Sequence, residues 1–116
     1  MATVDGDQPR VRPFGTVDIF QDKLYIQTGK VKDVSKQMQQ SPKVEICAFD
    51  GGQWLRVSAT VVRDDRLEPK NRMLEAYPEL KDRYQADDGN TEVLYLSERC
   101  PATFYSFTGP PRVVRF

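Results

Sequence analysis

Histidine is absent from this chain, and that absence removes much enzyme chemistry. Without an imidazole there is no Ser-His-Asp triad and no histidine acting as a general base near neutral pH. Cysteine is almost as scarce, at two residues, Cys47 and Cys100. Two thiols so far apart cannot build a Cys/His zinc site, so no metal centre is expected. Net charge is missing too: 17 basic residues balance 17 acidic ones. Proteins that bind a phosphate backbone usually carry a basic excess, so nucleic acid is not the expected partner. Long apolar runs are lacking as well. No segment approaches the roughly 20 residues of a membrane span, and no leader pattern opens the chain. The expectation is a cytoplasmic protein with reduced thiols and no membrane partner.

What is present fits one small domain, residues 1–116, with 39% hydrophobic and 29% charged residues. A chain of this size buries a modest core, and such cores are often completed by dimerisation. With hydrolase and zinc chemistry set aside, a redox cofactor that brings its own reactivity suits what remains.

The apolar pattern is mostly of period two. Asp5-Gly6 reads as a hairpin turn. Residues 10–20 read as one long strand, with Arg10, Arg12, Phe14, Thr16, Asp18 and Phe20 sharing a face. Pro13 cannot donate to a ladder, which points to an edge or a bulge. A turn at Gln21-Asp22 leads to a strand over residues 24–28. A short helix is predicted over residues 31–40, with Val31, Val34, Ser35 and Met38 on its buried stripe; Ser41-Pro42 stops it. Residues 43–49 and 53–63 alternate around Asp50-Gly51-Gly52 as an antiparallel pair. Pro69 suits the first turn of a helix over residues 70–76, and another turn is expected over residues 79–85. Strands are predicted over residues 91–96 and 102–107, followed by a tail over residues 112–116. About six antiparallel strands with two short helical insertions make a small barrel or sandwich.

Basic side chains gather in the first third of the chain. Arg10 and Arg12 share a strand face, and Thr28, Lys30, Lys32 and Lys36 surround the predicted helix start. A helix start offers free backbone N–H groups and partial positive charge, so this grouping can receive a phosphate. An ion-paired, solvated surface would account for the same residues. Trp54, the only tryptophan, is either a packing residue on a half-buried strand or an interface aromatic. Cys47 reads as a buried apolar residue. The Asp87-Asp88-Gly89-Asn90 loop lacks EF-hand spacing and reads as a solvated turn.

The segments PRVRPFG, KLYIQTGKVKDVSKQM, PKVEICAF, GGQWLRVSATVV and ATFYSFTG, in that order and spacing, resemble the small FMN-binding split-barrel relatives of pyridoxamine 5'-phosphate oxidase. The resemblance covers residues 2–109. It implies a mainly β, six-stranded antiparallel Greek-key split barrel with short helices, holding FMN at a homodimer interface. It also implies an oxidoreductase role with a small-molecule redox substrate or electron donor, and places Arg10, Arg12, Pro13, Phe14, Thr28, Lys30, Lys32, Lys36 and Trp54 around the cofactor. Larger relatives carry a Ser-Arg-Lys run where this chain has Lys32-Asp33-Val34, a departure that counts against oxidase activity on pyridoxamine phosphate. A helix and the start of a strand, expected ahead of residue 1, are missing from this sequence. The alternative is a non-catalytic binding or sensing barrel for a deazaflavin or haem, the latter without a histidine ligand. No residue is singled out as a catalytic acid or base.

Overall fold

The computed structural model describes residues 1–97 and 100–115. Nine strands, β1 (Ala2–Asp5), β2 (Gln8–Val11), β3 (Asp18–Phe20), β4 (Lys23–Gly29), β5 (Lys43–Asp50), β6 (Gln53–Asp64), β7 (Thr91–Leu96), β8 (Pro101–Ser106) and β9 (Arg112–Arg115), form one sheet with two helices, α1 (Asp33–Gln40) and α2 (Leu67–Ala76). A 3-10 turn, Pro78–Asp82, follows α2. Every pairing among the described residues is antiparallel.

The long strand β6 organises the sheet. One edge pairs with β5. The other edge meets β8 along its first half and β7 along its second. A strand that changes partner along its length lets the sheet bend round on itself, which gives the split barrel its shape. The inner face carries the period-two apolar set of the sequence: Val44, Val57, Ala59, Val61, Ile26, Leu94, Leu96 and Ala102 are buried together, and Val34 and Met38 of α1 close over them. On the far side of β4 and β7, Tyr25 and Val93 pack against Met73 of α2, which is wholly buried.

Several expectations are corrected. The single strand over residues 10–20 is two short strands, β2 and β3, separated by irregular chain over residues 12–17. Pro13 has no N–H to give a ladder, so the strand ends just before it. The helix starts at Asp33, with Lys32 as its N-cap, and Val31 is exposed rather than buried. The reason lies across the molecule: the amides of Lys30 and Val31 donate to the backbone and side-chain oxygens of Asn90, at 2.7 and 3.1 Å. These bonds hold the two residues against the loop before β7, and Lys32 after them is extended, so the helix begins only at Asp33. Cys47 lies on the outer face and is exposed, while Cys100 is buried. The helix expected over residues 70–76 begins at Leu67. The expected tail is in part a strand, β9, paired to β8; Phe116 lies outside the described residues. Among the described residues the strands number nine rather than six.

Asp88 ties the loop carrying Asn90. It accepts hydrogen bonds from the amides of Gln85, Asn90 and Thr91 and from the Thr91 hydroxyl, at 2.7–3.0 Å. Burial pushes its carboxyl up, but these donors outweigh that and hold it down at about 2. Gly29 is where the loop meets β4. A Cβ there would come to 3.2 Å from the Tyr84 and Asn90 side chains, so a larger residue would push them back by a few tenths of an ångström.

The β3–β4 turn stores strain. Gln21 and Asp22 both have positive φ, 51° and 63°, the backbone of a two-residue I′ hairpin that favours Asn-Gly. Asp22→Gly is expected to raise stability by up to about 1 kcal/mol, since relief of the left-handed penalty is partly offset by added freedom in the unfolded chain. Thermal unfolding checks this; a lower Tm would refute it.

Candidate functional site

Two depressions are lined by consecutive stretches of the chain, residues 10–12 and residues 13–17. The first is a polar cleft of about 740 Å³ between the β1–β2 hairpin and α1, lined among others by Arg10, Arg12, Lys32 and Lys36, with Asp5 and Asp33. The hairpin reaches α1 through Thr3, whose hydroxyl donates to Gln37 Oε1 at 2.6 Å. Arg12 is fixed by donating to the Thr3 hydroxyl at 2.7 Å and to Gln37 Oε1 at 2.8 Å. Burial, then the neighbouring Arg10 charge, lowers the pKa of its guanidinium, as expected for a cation with neutral partners in a basic cleft. Arg10 pairs with Asp5 at 3.2 Å. Arg12, Lys32 and Lys36 have no ion-pair partner among the described residues. The N-terminus of α1 opens on the same cleft and has no side-chain cap. The surplus positive charge and the uncapped amides favour an anion here.

The second depression is an apolar groove of about 490 Å³, walled by Pro13, Phe14 and Val17 on one side and Leu24, Ile26, Ile46, Leu55 and Val57 on the other. Cys47 stands at its edge. The stretch lining the groove follows Arg12 directly in the chain, so one segment supplies a cation to the polar cleft and an apolar wall to the groove.

The outer face carries an aromatic row. Phe49 lies opposite Trp54, and Trp54 opposite Tyr105. The Trp54 and Tyr105 rings stack at 5.5 Å, and Phe107 leans on Trp54 at 5.1 Å. Phe49 and Phe107 are 65% and 75% exposed, a contiguous apolar surface of the kind that marks an interface.

Comparison with known proteins gives this architecture a lineage. A NimC/NimA family protein from Clostridium acetobutylicum is 46% identical, with a TM-score of 0.94 over 99% of this chain and 80% of that one. This chain belongs to the NimC/NimA family. A pyridoxamine 5'-phosphate oxidase-related, FMN binding protein from Nostoc punctiforme matches with 14% identity and a TM-score of 0.69, over 99% of this chain and 84% of that one. A heme binding protein from Mycobacterium smegmatis matches with 12% identity and a TM-score of 0.74, over 98% of this chain and 50% of that one. At those identities the likeness establishes a shared fold, the split barrel that the sequence resemblance implied. No protein-family profile and no curated protein matches the chain.

In this NimC/NimA family chain the residues expected around a cofactor divide among several places. Arg10, Arg12, Lys32 and Lys36 share the polar cleft; Pro13 and Phe14 line the apolar groove. Thr28 is buried on β4 opposite Glu92 of β7. Lys30 is drawn to Asp65, at 3.5 Å. Trp54 belongs to the outer aromatic row. Thr3 and Gln37, which hold Arg12, escape sequence reading: Thr3 is 34 positions from Gln37, and neither belongs to a charged or apolar pattern.

Proposed function

We propose that this protein is an FMN-binding flavoprotein, an oxidoreductase of the pyridoxamine 5'-phosphate oxidase-related split-barrel group, working as a two-fold homodimer. The observation that carries this reading is one segment, residues 10–17, that lines a basic cleft with its first residues and an apolar groove with the next. Arg12, Lys32 and Lys36 would hold the phosphate, with Arg10 at the cleft rim. Pro13, Phe14 and the inner residues of the groove would exclude water from the ring. The flavin, when bound, supplies the hydride and electron chemistry. The side chains bind it, orient it and shield it, which suits a chain without histidine. Serving FMN, this division of labour needs no residue that moves a proton.

The exposed apolar surface supports the homodimer. Phe49, Phe107 and Val113 on the outer face, with Ile19 and Val11 elsewhere on the sheet, are all more than half exposed. An isologous contact would remove such residues from water. One experiment tests both parts. Purified protein is mixed with FMN, and its visible spectrum is followed during sedimentation. Flavin absorbance travelling with a dimer is expected. Colourless protein that rejects FMN would refute the cofactor assignment and favour a different ligand for the barrel. Flavin travelling with a monomer at micromolar concentration would refute the dimer.

A further inference from the structure

A second polar site lies on the opposite side of α1. It is a pocket of about 240 Å³ between α1, β6 and β7, lined by Ser35, Met38, Gln39, Val61, Arg63, Glu92 and Leu94. Its polar residues occupy inner-face positions. Ile26 and Leu94 pair within the core, and two residues further along those strands Thr28 and Glu92 pair in turn. Arg63 lies two residues beyond core residue Val61 on the next strand. The barrel interior therefore changes from apolar to polar beneath Ser35.

This polar end is incompletely satisfied. Arg63 Nε donates to Glu92 Oε2 at 2.5 Å. Arg63 Nη2, Glu92 Oε1 and Ser35 Oγ are buried and have no partner among the described residues. Glu92 and Ser35 are 1% and 0% exposed. Buried polar groups are nearly always paired, and a few left open at one place point to something that pairs with them. The arrangement also has a definite polarity. The ion pair joins Nε of the guanidinium to one carboxylate oxygen, leaving both N–H groups of Nη2 as buried unpaired donors and Oε1 as a buried unpaired acceptor. The Ser35 hydroxyl can serve as either. Charge is balanced between Arg63 and Glu92, so neither an anion nor a cation is favoured. Met38, Val61 and Leu94 supply an apolar wall.

We propose that this pocket binds a neutral primary carboxamide on a small apolar or aromatic body. Its carbonyl accepts from Arg63 Nη2, its amine donates to Glu92 Oε1, and its ring lies against Met38, Val61 and Leu94. At 240 Å³ the pocket is smaller than the ~300–1,000 Å³ usual for drug-sized ligands, so a single ring is the upper size. The site is separate from the basic cleft, since Lys32, Lys36 and Gln37 face one side of α1 and Ser35, Met38 and Gln39 the other.

The test uses benzamide as the probe, with acetophenone and benzoate as controls, on the full chain followed by NMR of its backbone amides. Acetophenone keeps the ring and carbonyl but has no donor; benzoate is an anion. Benzamide is expected to give saturable shifts at Ser35, Met38, Arg63 and Glu92, and to bind about tenfold or more tightly than either control. Ser35→Ala removes an unpartnered buried hydroxyl, so its Tm should not fall, while benzamide affinity should drop severalfold. Ser35→Leu should fill the pocket and abolish binding with the amide pattern of the fold retained. Equal binding of the three probes would show an apolar cavity only and overturn the proposal. So would the absence of saturable shifts, which would mean that Arg63 and Glu92 close on each other into a two-bond fork.

Discussion

FMN is expected to bind this protein on the order of a hundredfold more tightly than riboflavin, because two or more charge-assisted hydrogen bonds at roughly 1.5–3 kcal/mol each reach only the phosphorylated ligand. The cations in question are Arg12, Lys32 and Lys36, which converge on the cleft without carboxylate partners among the described residues. Replacing Lys32 and Lys36 together by alanine should erase most of the preference and leave riboflavin affinity nearly unchanged. Lys30→Ala serves as a control: its ammonium is engaged with Asp65, so the variant should keep the preference. Arg12→Ala should act more broadly, since Arg12 also joins the β1–β2 hairpin to α1 through Thr3 and Gln37. Added salt should weaken FMN more than riboflavin, because charges at an open cleft are screened. Flavin fluorescence titrations of both ligands against each variant measure all of this. Equal wild-type affinity for the two flavins would remove the phosphate role of the cleft, and its lysines would then be a solvated helix face.

Asp64→Ala should be the most destabilising of the exchanges considered, by about 2–3 kcal/mol, through loss of a buried acceptor. Asp64 ends β6, almost buried, and receives the Tyr25 hydroxyl at 2.7 Å and Arg66 Nη2 at 2.8 Å. Tyr25 is 1% exposed. Burial, followed by its hydrogen bond to Asp64, pushes the phenol up to about 12, so it remains a donor throughout the physiological range. Hydrogen bonds from Arg66 are the leading cause holding Asp64 down at about 2, against the opposing effect of burial.

The sign of the pH dependence follows from that depression. A carboxylate whose folded pKa lies below its unfolded value of ~3.9 contributes stability above that value and loses it as pH falls towards the folded one. Stability should therefore decline between about pH 4 and pH 2, with Asp88 contributing in the same window. Asp64→Asn retains an oxygen to accept from Tyr25, so it should cost less than alanine and flatten the Asp64 part of the acid loss. Chemical unfolding of the three proteins at pH 7, 4 and 3 checks both statements. A D64N variant with undiminished acid sensitivity would assign the effect to other carboxylates.

Much of the fold was legible because its signals are local. Period-two alternation located β5, β6 and β7, since one face of each meets a core and the other meets water or a covering helix. Gly and Asp at turns marked the hairpins, and Pro69 marked the first turn of α2, which begins two residues earlier, at Leu67. Where the expectation failed, a distant partner was responsible or a local rule was underweighted. Val31 reads as helical until Asn90, 59 positions away, takes its amide. Cys47 reads as a small buried hydrophobe, but the register Cys47↔Arg56 puts it on the outer face. Residues 10–20 alternate well enough to read as one strand, yet Pro13 breaks the ladder.

Sequence by itself determined the strand-rich class, the family resemblance and the gathering of basic residues before Pro42. Those are properties of composition and of neighbours along the chain. Only the tertiary structure decided which basic residues act together. Lys30 and Lys32 are two positions apart, yet one is drawn to Asp65 and the other lines the cleft with Arg12. The same holds for Ser35, Arg63 and Glu92, which lie on three elements and carry no shared motif. Strand pairing and helix docking bring together residues tens of positions apart, and the cost of leaving a buried polar group unpaired depends on that company rather than on sequence neighbours.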